Sequence, residues 1–214
     1  PDGVDQVDVA GMGCRFMTSY RGMAHQADVS RGEYVVVHGL GGIGLSAVHI
    51  ADALGGNVIG VDLMDEKLEM AEELGAIETI NASAVADPAK EVKDITDGGA
   101  HVSLDALGIQ ETCQNAVESL RTRGRHVQIG LTTKDQQGYN RLPTDTIVMN
   151  ELDIYGSSGL PPAKYGEMFR MVENDKLDPG AVVTDKIPLE GVNDELESMT
   201  DYETVGIPVV TEFA

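Results

Sequence analysis

From residue 33 onward the chain alternates short apolar, β-branched runs with segments in which apolar positions recur every three or four residues. "EYVVVHG", "NVIGVD" and "AIETI" read as strands, with helices between them over residues 42–55 and 64–75, a βαβαβ arrangement. The second half keeps the rhythm. A helix opened by Asp87 and Pro88 leads to the strand "HVSLDALG", a helix from Gln110 to Leu120, the strand "RHVQIG" and, after a loop, "LDIYGSS". Six strands result. "YVVV" has no polar alternation, the pattern of a parallel strand covered by helices on both faces, so the predicted architecture is an α/β doubly wound sheet with right-handed crossovers.

After Pro161 and Pro162 the pattern changes. Tyr165, Met168, Phe169 and Val172 fall at i, i+3, i+4 and i+7 of a helix whose apolar stripe reads as core packing. "AVVTDKI", a short acidic helix and "VGIPVVTEF" follow, and this tail is not predicted to be another βαβ repeat. Together with residues 1–20 it reads as part of a second domain whose main body is absent. The expected boundaries are 1–20, 21–160 and 161–214.

Charge narrows the choice of partners. Fifteen Lys and Arg stand against 36 Asp and Glu, a net charge of −21, so nucleic acid is an unfavourable partner. The acids are spread through helical segments such as "MDEKLEMAEELG", which predicts a solvated acidic shell rather than a disordered acidic tail. Such a shell repels itself at low ionic strength and is screened by salt, so a cytoplasmic protein of a high-salt organism is expected, with an ordinary acidic protein as the alternative. No run of about 18 apolar residues offers a membrane span. "PDGVDQVDV" has neither an initiator Met nor the charged and apolar regions of a secretory signal, so the chain is expected to start in mid-protein. Its two cysteines, Cys14 and Cys113, lie 113 − 14 = 99 positions apart and give no disulfide framework.

The chemistry concentrates at "VVVHGLGGIG". Gly39, Gly41 and Gly44 spell GxGxxG where a strand ends and a helix opens, with Leu40, Gly42 and Ile43 between them. In that context the first glycine makes a tight turn, the second lets the backbone approach a pyrophosphate, and the third allows helix and strand to pack closely. Asp62 closes the next strand 62 − 39 = 23 positions on, where a carboxylate accepts the ribose hydroxyl protons. It would repel a 2′-phosphate, and Leu63, Met64 and Asp65 bring no cation to offset it, so NAD is favoured over NADP. A methyltransferase using adenosylmethionine carries a similar loop and acid; the third glycine argues against it. Turn-forming glycines and a helix-capping Asp62 are the purely structural alternative.

"GCRFMTSY", followed by "VVVHGLGGIGLSAV", "VIGVD" and "EKLEMAEELGA", resembles the medium-chain, zinc-dependent alcohol dehydrogenases over essentially the whole chain. The resemblance implies a Rossmann-type six-stranded sheet, with terminal segments belonging to an incomplete GroES-like catalytic domain. It places Cys14, in a glycine-flanked loop, at the position of a catalytic zinc ligand. The other two ligands, a cysteine and the histidine of a "GHE" segment, have no counterpart here, so this chain alone is expected to bind zinc weakly or not at all. Thr18 matches a position against the nicotinamide, and Lys67 one that reaches the adenosine ribose, with a solvated helix charge as the other reading of Lys67. Ala106 and Leu107 match the adenine pocket; Ile129, Gly130, Leu131, Ser157 and Ser158 match the nicotinamide border.

One departure stands out. Where many of these enzymes place an Arg against the pyrophosphate, this chain has Ile207 and Pro208. Arg121, Arg123 and Arg125 follow a predicted helix C-terminus, where cations favour the dipole, and are not assigned to the cofactor. Cys113 shares a helical face with Ala116, Val117 and Leu120 and reads as core, and the five histidines have no metal-ligand spacing. The resemblance implies zinc-assisted alcohol oxidation with hydride transfer to NAD, and a homodimer, or a tetramer, paired through the edge segment "IVMNELDIYGSS". A zinc-free quinone or enoyl reductase and a non-catalytic dinucleotide-binding module are the rival readings.

Overall fold

The computed structural model describes residues 4–134, 136–200 and 202–213. The chain opens with helical turns: α1 (Gln6–Gly11), a wider π-helical turn over Met12–Phe16, α2 (Met17–Tyr20) and a second wide turn over Arg21–Gln26. Asp5 caps α1 by accepting the Val7 N–H at 2.9 Å. Gly13 breaks the run with ψ −145°. Cys14 therefore lies in a helical turn just past a kink, not in the loop that its flanking glycines suggested.

Six parallel strands follow: β1 (Tyr34–His38), β2 (Asn57–Asp62), β3 (Ala76–Asn81), β4 (Ala100–Asp105), β5 (Leu120–Gln128) and β6 (Asp153–Gly156). Their order in the sheet is β3-β2-β1-β4-β5-β6, the doubly wound arrangement expected from the sequence. Between them run α3 (Gly42–Ala53), α4 (Asp65–Glu73), α5 (Pro88–Ile95), α6 (Gln110–Glu118) and α7 (Thr144–Met149). Asp87 caps α5 on the Lys90 N–H at 2.9 Å while Pro88 occupies its first turn, where a missing N–H costs nothing.

Period-two geometry explains why β1 is apolar throughout. Val35 and Val37 point into the core under α3 and the N-terminal helical turns, and Val36 points into the opposite core with Ile59, Val61, Ile80 and Val92. All three valines are fully buried.

Three further expectations are corrected. The helix from Gln110 stops at Glu118, and β5 begins at Leu120, paired with Ala100, so Arg121, Arg123 and Arg125 are strand residues rather than a helix terminus. Arg125 pairs with Glu33 at 2.5 Å, and Arg121 meets His101 at 2.8 Å. Of the segment "IVMNELDIYGSS", Ile147–Met149 belong to α7, so the edge strand is only Asp153–Gly156.

The tail is the last of these. After α8 (Tyr165–Glu173), β7 (Val183–Pro188), α9 (Val192–Thr200) and β8 (Ile207–Glu212) form a βαβ unit whose strands pair in parallel as a separate two-stranded sheet. Its first strand, "VTDKIP", exposes Thr184, Asp185 and Lys186, which hid the repeat from a search for continuously apolar strands. Met168, Val172, Val182, Ile207 and Val209 join Met12, Phe16, Tyr20 and Val35 in one cluster, so both ends of the chain share the core beneath α3.

Candidate functional site

The carboxyl ends of β1, β2 and β4 open on a cavity of about 550 Å³. Its floor is the turn from β1 into α3. Gly39 takes φ +86°, a conformation other residues rarely adopt, and its N–H donates to the Val61 carbonyl at 2.9 Å. Gly44 packs so closely on that turn that a Cβ would lie 2.9 Å from the Gly39 carbonyl carbon and overlap its oxygen. At Gly41 a Cβ would meet nothing within 4 Å, so this residue leaves open space above the loop. The leading N–H groups of α3, which lack intrahelical acceptors, border that space.

Asp62 sits at the end of β2. Its Oδ2 accepts the Leu40 N–H at 2.6 Å, and its Oδ1 accepts those of Leu63 at 2.7 Å and Met64 at 3.2 Å. Three amides fix the carboxylate at the cavity wall and leave one lone pair, on Oδ2, free for a ligand. The Leu40 amide is thereby committed to Asp62, and its side chain is fully buried in the core. Lys67 is 4% exposed, and its Nζ donates to the Tyr202 carbonyl at 2.5 Å, which overturns the reading of a solvated helix charge. The tail takes the ammonium's water away and supplies an acceptor in its place.

Gly39, Gly41, Gly42, Ile43, Gly44, Asp62, Lys67, Ala106 and Leu107 all border the cavity. Thr18, 5% exposed, bonds back to the Cys14 carbonyl at 2.5 Å. Beyond the cavity, Ile129 and Ser157 are buried at the ends of β5 and β6, with the Ser157 hydroxyl unpartnered. Gly130 presses against the Leu107–Gly108 backbone, Leu131 is 87% exposed, and Ser158 is exposed with its carbonyl accepting from Arg21 at 2.9 Å. The Cys14 thiol is exposed. Among the described residues no three His, Cys, Asp or Glu side chains are grouped to hold a metal ion.

Three residues of this region escaped the sequence reading. Fully buried Asp105 accepts the N–H groups of Leu107 at 2.9 Å and Gly108 at 3.0 Å and the Thr112 hydroxyl at 2.9 Å on Oδ1, and Gln128 Nε2 at 2.8 Å on Oδ2. It shapes the turn that carries Ala106 and Leu107. An acid ending the apolar strand "HVSLD" was its only signal. Buried Ser19 reaches the Ile43 carbonyl at 2.7 Å and so ties α2 to the glycine turn. Arg15 enters the cavity from the N-terminal helical turn.

Two histidines beneath the site are held neutral. Burial pushes His38 down to about 3, with His126 adding repulsion, and burial also lowers His126. Burial raises the Cys113 thiol to about 11, helped by the nearby Asp105 charge, as suits a core cysteine.

A family model described as "Zinc-binding dehydrogenase" matches residues 42–174. The chain belongs to the zinc-binding dehydrogenase family. It is 36% identical over 211 residues to an alcohol dehydrogenase of Moraxella sp., covering 98% of this chain and 59% of that protein. An NAD-dependent alcohol dehydrogenase of Sulfurisphaera tokodaii is 31% identical, with 95% and 57% covered. Among solved structures, the alcohol dehydrogenase of the hyperthermophilic archaeon Aeropyrum pernix superposes with a TM-score of 0.85 at 28% identity, over 99% of this chain and 60% of that one. The chain thus spans less than two thirds of the length of these dehydrogenases.

Proposed function

We propose that this chain is the coenzyme-binding portion of an NAD-dependent, zinc-type alcohol dehydrogenase acting on a small-molecule alcohol or the matching carbonyl compound. The observation that carries the reading is Asp62, fixed by three amides at the wall of a cavity floored by the glycine turn. The residues present suit NAD: open space over Gly41 for a pyrophosphate, helix N–H groups facing it, and a carboxylate for ribose hydroxyls. Bound NAD supplies the hydride acceptor. In this reading Ala106, Leu107 and Lys67 wall the adenosine half, while Thr18, Ile129, Gly130, Leu131, Ser157 and Ser158 border the nicotinamide.

Zinc belongs to the family, but the described residues do not suit it by themselves. Cys14 offers one thiolate where a catalytic site needs about three protein ligands, and no catalytic step of this chain is derived through the metal. We assign Cys14 as one ligand in the intact enzyme.

The division into a coenzyme domain over 21–160, with 1–20 and 161–214 belonging to a catalytic domain, is part of the same proposal. So is a homodimer, or a tetramer built on it, joined at the β6 edge. Nearby Val148, Met149 and Ile154 are 68, 79 and 38% exposed, and an apolar edge left open invites pairing. No described helix is long and apolar enough to cross a membrane, and the charge of −21 opposes nucleic acid. A cytoplasmic setting and salt adaptation complete the reading. Titration with NADH and NADPH in molar salt, followed by nicotinamide fluorescence, tests its centre. Saturable binding that prefers NADH is expected; equal or stronger NADPH binding refutes the role of Asp62.

A further inference from the structure

Arg15 borders the cavity without a carboxylate partner among the described residues. Its side chain lies along the start of α3: Cδ is 2.7 Å and Nη1 3.1 Å from where a Cβ on Gly42 would stand, so a side chain there would push the arginine aside. It borders the same cavity as Gly41 and Asp62. In a chain with 36 acidic residues an arginine readily finds a carboxylate. Yet none of the ion pairs among the described residues includes Arg15, and its Nη2 contact is the thioether of Met199 at 3.2 Å, a weak acceptor. A half-buried guanidinium whose side-chain partner is so poor is held in position for something better.

The neighbouring groups specify what that is. The leading N–H groups of α3 and the open space over Gly41 form an anion cradle, and a guanidinium fork matches phosphate oxygens bidentately. Ile207 also approaches this spot, its Cγ1 3.1 Å from the same Gly42 Cβ position. The position at which the family resemblance implies an arginine is thus occupied by an apolar side chain, and the cation arrives beside it from the opposite end of the chain.

We propose that Arg15 is the pyrophosphate-binding cation of the nucleotide site, exchanging the Met199 thioether for phosphate oxygens when a dinucleotide enters. This rests on the NAD reading above and assigns to it a residue outside the glycine motif. In this role Arg15 binds and positions the dinucleotide and takes no part in hydride transfer.

The test compares ADP-ribose, which carries the pyrophosphate, with adenosine, which does not, by calorimetry at one fixed salt concentration on the whole chain and on Arg15→Ala and Arg15→Lys. Loss of a charge-assisted pair predicts about ten- to hundred-fold weaker ADP-ribose binding for Arg15→Ala, with partial recovery in Arg15→Lys and unchanged adenosine affinity. A drop below about two-fold overturns the proposal, as does an equal fall for adenosine, which would make Arg15 a packing group. Failure of the unmodified chain to bind ADP-ribose and NADH refutes the NAD reading and this proposal with it. Normal binding by that chain and by Arg15→Ala refutes this proposal alone.

Discussion

Two alanine substitutions, Gly44→Ala and Gly41→Ala, separate the architecture of the glycine turn from its ligand role. In Gly44→Ala the new Cβ lies 2.9 Å from the Gly39 carbonyl carbon and overlaps the oxygen, whereas carbon atoms in good contact stand about 3.5–4.0 Å apart. The obstacle is backbone at a turn whose φ of +86° is already special, so neither partner swings aside cheaply. Relief requires moving α3 away from β1, beneath which Val35, Val37 and Leu45 are fully buried. Overpacking of this kind costs roughly 1–3 kcal/mol, which for a chain of this length lowers Tm by about 2–12 °C. Gly41→Ala meets nothing within 4 Å and has φ −77° and ψ −170°, accessible to any residue. Its stability should stay within about 0.5 kcal/mol of the parent. Its methyl nevertheless projects into the space assigned to the pyrophosphate, so NADH affinity should fall at least about ten-fold. Urea unfolding and NADH fluorescence on both variants provide the assay. A Gly44→Ala chain as stable as the parent, or a Gly41→Ala chain that binds NADH normally, would refute the corresponding half of the reasoning.

Asp62→Asn should weaken NADH about ten-fold and narrow its advantage over NADPH, because the charge opposing a 2′-phosphate is gone; an unchanged ratio in paired titrations would dismiss the electrostatic argument. Asp105→Asn replaces an acceptor of four hydrogen bonds with a group that donates on one side, and a loss of roughly 3 kcal/mol by urea unfolding is expected. His38 is held at about 3 when folded against 6.5 when unfolded, so the unfolded state binds the extra proton between those values. Stability is full above pH 6.5 and falls by about 1.4 kcal/mol per unit on acidification below it, down to about pH 3, and His38→Gln should remove that share of the slope between pH 7.5 and 5.5. If the β6 edge joins two copies, light scattering in molar salt gives twice the chain mass and Ile154→Lys returns it to one; a monomeric parent would count against pairing there.

The sequence made the main sheet legible because its strands are buried on both faces. Apolar runs such as "YVVV" carry no ambiguity of face, and the glycine spacing located the turn on which the cavity rests. The tail's βαβ unit was hidden for the converse reason: no residue of β7 is fully buried, and the exposed Thr184, Asp185 and Lys186 interrupt the apolar signal. Boundaries drifted where a helix ran directly into a strand, as at Ser119 and Leu120, since no glycine or proline marks the junction. At the site, groups contributed by local motif could be read. Arg15 and Asp105 could not, because they meet partners 184 and 23 positions away.

Lys67 grips the carbonyl of Tyr202, and Arg15 reaches the loop from the other terminus, so the cavity borrows a wall from each end of the chain. The sheet is therefore not a portable cassette. Cutting the polypeptide down to its six strands and their crossovers would preserve every glycine of the motif yet leave the trough open on two flanks, with a lysine stripped of its acceptor. Grafting this nucleotide fold into another protein requires carrying both tails along, or designing substitutes for them.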